Sequence, residues 1–179
     1  EGLVQDTYIT ALCDGAENCW NIIDSLRPRC AGIDKILDWF HISKKFQNTR
    51  MGEKYNVTLT KAKWSLWHGN TEKCISKLIA LKNILRNKTK RNKIQELINY
   101  VINNKNKIDN YAERYLEGKV VTSQMAESTI ESLINQRCKG KRHMQWSRKG
   151  LHPVLQLRAA IASNDWNGNW EKLVLGAFP

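Results

Sequence analysis

Residues 8–15 read YITALCDG, and the fold is decided there. Tyr8 to Cys13 is a short run of β-branched and apolar residues that stops at Asp14-Gly15, the pattern of a strand running into a tight turn. Outward from it, Trp20, Ile23 and Leu26 repeat at helical spacing and the stretch ends before Pro28, so a helix follows the strand. Residues 35–40, KILDWF, read as a second strand leading into His41. Two strands bracketing one helix predict a βαβ unit with parallel strands at about residues 7–13 and 35–41, and so an α/β fold.

Beyond Ile42 the pattern turns helical. Ile75, Leu78 and Ile79 open one stripe and Leu85 continues it. Ile94, Leu97, Ile98, Val101 and Ile102 follow helical spacing without a break, as do Ile108, Tyr111, Ala112, Tyr115 and Leu116. Such stripes bury one helix face, and no cofactor motif interrupts them. Gly118 ends this stretch, with Val120–Val121 a short extended link. Ser123 is placed to cap a helix from about Gln124 to Cys138. A basic loop, a helix from about His152 to Ala162 and a docked tail around Trp166 and Trp170 complete the expectation.

The 179 residues carry a net charge of +12. That much positive charge opposes compaction unless a polyanion relieves it, which points to nucleic acid. No apolar run approaches the ~20 residues that a membrane span needs, and no signal peptide opens the chain, so a cytoplasmic, nucleoid-associated protein is expected. The five cysteines are irregularly spaced and form no C-x-x-C pair. Reduced thiols buried as small apolar groups fit that pattern better than a zinc ribbon. The chain opens at Glu1 without a methionine and enters a strand almost at once, which reads as the later part of a longer polypeptide.

Three features could carry chemistry. Asp14 stands at the carboxyl end of a strand, the edge where open α/β sheets bind ligands, and Gly15 leaves room for a metal or phosphate. It also reads as an ordinary turn aspartate. Glu127 lies in the first turns of a predicted helix among the small residues Ser123, Ala126 and Ser128, with Glu131 one turn on as a competitor. An ordinary helix-dipole glutamate is the alternative there. The acid-free stretch Arg137, Lys139, Lys141, Arg142, Arg148 and Lys149, with Trp146 among them, could grip a DNA backbone and stack on a base, or be a solvated face.

Four blocks resemble bacterial insertion-sequence DDE transposases with an RNase H-like core and a helical insertion. They are CDGAENCW (13–20), ILDWFHISKKFQ (36–47), WSLWHGN (64–70) and the long stretch from Tyr111 to Gly150. The resemblance implies that residues 1–46 are the second half of the core sheet and 47–117 the helical insertion. Residues 118–179 then hold the glutamate helix, the basic loop and the C-terminal helix. It assigns Asp14 as the second metal-binding carboxylate and Glu127, within Ala126-Glu127-Ser128, as the third. Asp38 and His41 match a Cys/Asp-x-x-His pattern and are expected to orient the site.

What the resemblance implies chemically is cleavage and joining of DNA phosphodiesters by a two-metal mechanism using Mg²⁺, with Mn²⁺ a substitute. The partners would be transposon ends and target duplex, bridged by a homo-oligomer. The family's first aspartate has no counterpart before Asp14, so the chain alone is expected to be inactive. A non-catalytic DNA-binding remnant and an RNase H-like nuclease stay open as rival readings.

Overall fold

The computed structural model describes residues 4–139, 145–168 and 170–171. It is a mixed α/β structure, mostly helical, and separates into two compact units, residues 1–123 and 124–179. Among the described residues there is one sheet, of two strands.

Strand β1 (Tyr8–Cys13) pairs in parallel with β2 (Gly32–Leu37), in a register that runs from Tyr8 opposite Gly32 to Cys13 opposite Leu37. Between them lies helix α1 (Glu17–Asp24), which packs on β1 with Trp20 buried and gives way to a 3-10 turn at Arg27–Arg29. The first strand and the parallel pairing are as the sequence predicts. The second strand is not where KILDWF puts it: it starts at Gly32 and ends at Leu37, and Trp39, Phe40 and His41 form the first turn of a helix. The cause is Asp38. Its N–H extends the ladder to Cys13 O at 2.9 Å, but its carboxylate accepts the N–H of Phe40 and starts helix α2 (Trp39–Asn48).

Helices α3 (Glu53–Trp67), α4 (Thr71–Ile84), α5 (Lys88–Asn103) and α6 (Tyr111–Leu116) follow. Asparagine starts three of them: the Asn70, Asn87 and Asn110 side chains accept the N–H groups of Lys73, Lys90 and Glu113. Each such cap contributes about 1 kcal/mol. The core runs through Leu37, Ile42, Phe46, Leu59, Leu66, Leu78, Ile94, Val101 and Tyr111. In α4 the buried stripe is Cys74, Leu78, Leu81 and Leu85, and Ile79 is exposed, so the expected stripe is shifted in phase. Ile102 near the end of α5 and Tyr115 and Leu116 at the end of α6 are exposed as well, although the expected stripes include them. Gly118, at φ +70°, ends the helical stretch, and Val121 O then accepts the N–H of Trp39 at 3.2 Å.

In the second unit, α7 (Gln124–Ile130), a π-helical turn (Glu131–Asn135) and α8 (Gln136–Cys138) form one helical run with the predicted ends. Helix α9 (Arg148–Ala162) starts earlier than expected because Ser147 caps it, its hydroxyl oxygen accepting the N–H of Gly150, and Pro153 lies inside it. Trp166 and Trp170 stack on each other at 5.8 Å and are both exposed, and the rest of the expected tail, residues 172–179, lies outside the described residues. Of the five cysteines, all free, only Cys74 is buried, which corrects the expectation for the other four. Among the described residues no helix is long and apolar enough to cross a membrane.

Candidate functional site

Asp14 lies just past the last residue of β1 and is exposed. Its Oδ1 accepts the N–H of Ala16 at 2.9 Å, a local turn that fixes the side chain at the strand end. Gly15 adopts φ +97°, as the tight turn requires. A Cβ there would meet Asn104 Oδ1 at 3.0 Å and Leu37 Cδ1 at 3.1 Å, so side chains from the end of α5 and from β2 pack against the turn. The backbone is held from the same side: Tyr100 of α5 donates its hydroxyl to Asp14 O at 3.1 Å.

Tyr111 of α6 does the same for the second strand, donating to Leu37 O at 2.6 Å. Burial raises both phenols above their ordinary pKa, with the Asp14 and Asp38 charges adding to it at Tyr100. Nothing in sequence spacing links Tyr100, Asn104 or Tyr111 to the strand ends.

Asp38 is fully buried. Its carboxylate accepts the N–H of Phe40 (3.2 Å), the N–H of Ser123 (2.9 Å) and the hydroxyl of Ser123 (2.6 Å). Its fourth partner is His41 Nδ1, at 2.6 Å. An ionised carboxylate only accepts, so this contact puts a proton on Nδ1. Buried carboxylates persist where donors satisfy every lone pair, and this one is so satisfied. Ser123, expected only as a helix cap, proves to be half of this long-range pair.

Glu127 sits in the first turn of α7 and is half-buried. Glu131 is exposed and takes a hydrogen bond from Asn135 Nδ2 at 2.7 Å within its own helical run. The π-helical turn that begins at Glu131 brings Gln136 N–H onto Glu131 O, five residues back. A π turn leaves carbonyls poorly aligned with the next turn's donors. Arg158 of α9 supplies them: its Nε donates to Leu133 O at 2.7 Å and its Nη2 to Ser132 O at 2.8 Å. No motif announced Arg158, because the π turn has no sequence signature.

Of the predicted DNA contacts, Lys141 and Arg142 lie outside the described residues. Lys139, Arg148 and Lys149 are exposed. Arg137 stacks its guanidinium over the Trp146 ring at 5.4 Å, so that face of Trp146 is covered. Arg148 and Lys149 occupy the first turn of α9, where no acidic residue stands, and cations there oppose the helix dipole.

The fold and these side chains define a class: a basic, mostly helical α/β protein with a carboxylate at the end of a parallel strand and a buried aspartate, Asp38, bonded to the partly exposed His41 and Ser123. Residues 31–172 match the uncharacterised protein family UPF0236, and the chain belongs to it. No curated protein and no solved structure matches the chain.

Proposed function

We propose that this chain is the catalytic-core part of an insertion-sequence DDE transposase with an RNase H-like fold. The observation that carries the reading is Asp14: an exposed carboxylate at the carboxyl end of β1, paired in parallel with β2, inside the block that resembles the transposase strand-end motif. The family is common among bacterial mobile-element proteins, which supports the same conclusion.

In this reading Asp14 and Glu127 are two of three carboxylates that hold divalent cations. Their oxygen donors suit Mg²⁺, or Mn²⁺ in its place. Bound cations would supply charge neutralisation at the phosphodiester and a more acidic water. The chain's own residues do the positioning. Ala16 N–H holds the Asp14 carboxylate at the strand end, and Tyr100 holds its backbone. Asp38 and His41 orient the site, the buried Asp38 carboxylate holding the partly exposed His41 ring. Lys139, Lys141, Arg142, Arg148 and Lys149, with Arg137 and Trp146, hold duplex DNA at transposon ends and target, on which the protein works as a homo-oligomer.

The test is strand cleavage and joining on duplex carrying the element's ends, with Mg²⁺, in a protein that has all three carboxylates. Asp14→Asn and Glu127→Gln should each abolish both reactions and leave DNA binding intact. Cleavage without joining would favour an RNase H-like nuclease. DNA binding without either reaction would favour a non-catalytic remnant.

A further inference from the structure

Helices α3 and α4 form a hairpin whose turn is His68–Asn70, and an open groove of about 410 Å³ runs along it. Its lining is basic and aromatic: Lys61, Trp64 and His68 from the α3 side, Lys73 and Lys77 from α4, with Ser65 at the floor. No carboxylate lines it. Among the described residues, no acid is paired with Lys61, Lys73 or Lys77, whereas nearby Lys105 pairs with Glu72 and Lys119 with Glu117.

Lys77 is the fixed point. It is half-buried, and its ammonium donates to Lys61 O at 3.2 Å and to the buried Ser65 Oγ at 2.9 Å. Both acceptors are neutral, so they orient the ammonium without cancelling its charge, and a third N–H stays available. Lys73 stands one helical turn away on the same face, about 6 Å along α4, which is comparable with the separation of neighbouring phosphates along a strand. Trp64 is 48% exposed and forms the wall, with Lys63 lying over its ring at 5.3 Å. Three cations around one groove with no carboxylate in its lining repel one another, and an extended anion would relieve that repulsion.

We infer that this groove is a binding site for the phosphate backbone of nucleic acid, separate from the basic residues between Arg137 and Lys149. It rests on the lysines of α3 and α4 and not on the proposed carboxylate chemistry. Neutralised phosphates release counterions, so each contact contributes to the salt dependence of binding.

The experiment compares two double variants of the full chain that remove the same charge. Lys61→Gln with Lys73→Gln empties the groove's rim, and Lys105→Gln with Lys119→Gln removes two lysines already paired with carboxylates. Both pairs have exposed side chains, and equal melting temperatures would verify the folds. Binding to a fluorescein-labelled duplex is measured across a salt series. The groove variant should bind ~10-fold more weakly and lower the slope of log K against log salt by about 2, at roughly 0.9 per phosphate. The control pair should change the slope by well under 1. Equal losses in both variants, or none in the groove variant, would overturn the site. Cleavage assays on Glu127→Gln report separately on the carboxylate reading, so either proposal can fail while the other stands.

Discussion

Asp38 and Ser123 are 85 positions apart, yet both the N–H and the hydroxyl of Ser123 donate to the one buried carboxylate. The pair pins the last residue of the first unit to the end of β2, immediately before the helix that bears Glu127.

Removing either partner should therefore be costly. Asp38→Ala leaves the donors of Ser123, Phe40 and His41 unmet in a closed site and should destabilise the first unit by about 2–4 kcal/mol in urea unfolding. Ser123→Ala should lose about 1–2 kcal/mol. The double variant should show a coupling of at least ~1 kcal/mol, and strict additivity would mean the pair contributes nothing.

The two tyrosines predict a response to alkali. Their folded-state pKa values are raised by burial, so the unfolded chain loses these protons first. The stability they contribute is whole below about pH 10, the ordinary phenol value, and is lost as pH rises beyond it. Tyr111→Phe should destabilise by about 1–3 kcal/mol at neutral pH, because Leu37 O loses a buried donor. It should also flatten the loss between about pH 10 and 12. An unchanged alkaline limb would show that Tyr111 is not a buried neutral group.

Thiol chemistry offers a quick check of the core. Burial pushes the Cys74 thiol up to about 12, and the residue is closed off from solvent. Its thiolate fraction at pH 8 is then negligible. Native protein should titrate rapidly at the partly exposed Cys19, Cys30 and Cys138, more slowly at Cys13, whose pKa burial also raises, and at Cys74 only after denaturation. Fast labelling of Cys74 would mean that α4 opens readily.

Arg158→Gln should destabilise the second unit by about 1–3 kcal/mol, since Ser132 O and Leu133 O lose charged donors. Hydrogen exchange should rise at the amides of residues 134–138 and stay unchanged in α5. Protection identical to the parent would remove Arg158 from its supporting role.

Much of the first unit was legible because its signals are local. β1 is a six-residue run closed by Asp14-Gly15, and α5 has unbroken spacing. KILDWF misled because Leu37, Trp39 and Phe40 are all apolar, so hydropathy cannot see the boundary. The signal that could have found it was Asp38, a strong helix-capping type directly ahead of a helical stretch. The phase of α4 was lost for a similar reason. Cys74 and Leu81 share its sequence with Ile75 and Ile79, and only packing against α3 and α5 decides which pair is covered. Around Asp14 the residue itself was visible, but its supports were not. Tyr100, Asn104 and Tyr111 reach the strand ends across more than sixty positions, where no periodicity operates.

The π-helical turn at Glu131–Asn135 has a consequence for register. Each residue of an α-helix advances by about 100°, so a turn that holds one residue too many rotates everything after it by that amount. Arg137 and Lys139 therefore point in directions that a regular helix counted from Glu127 would assign to their neighbours. Deleting a single residue within 131–135 would give an ordinary α-helix and cost little helical stability. It would nonetheless swing the basic end of that helix onto another azimuth, so chain length at this turn is a setting for charge direction.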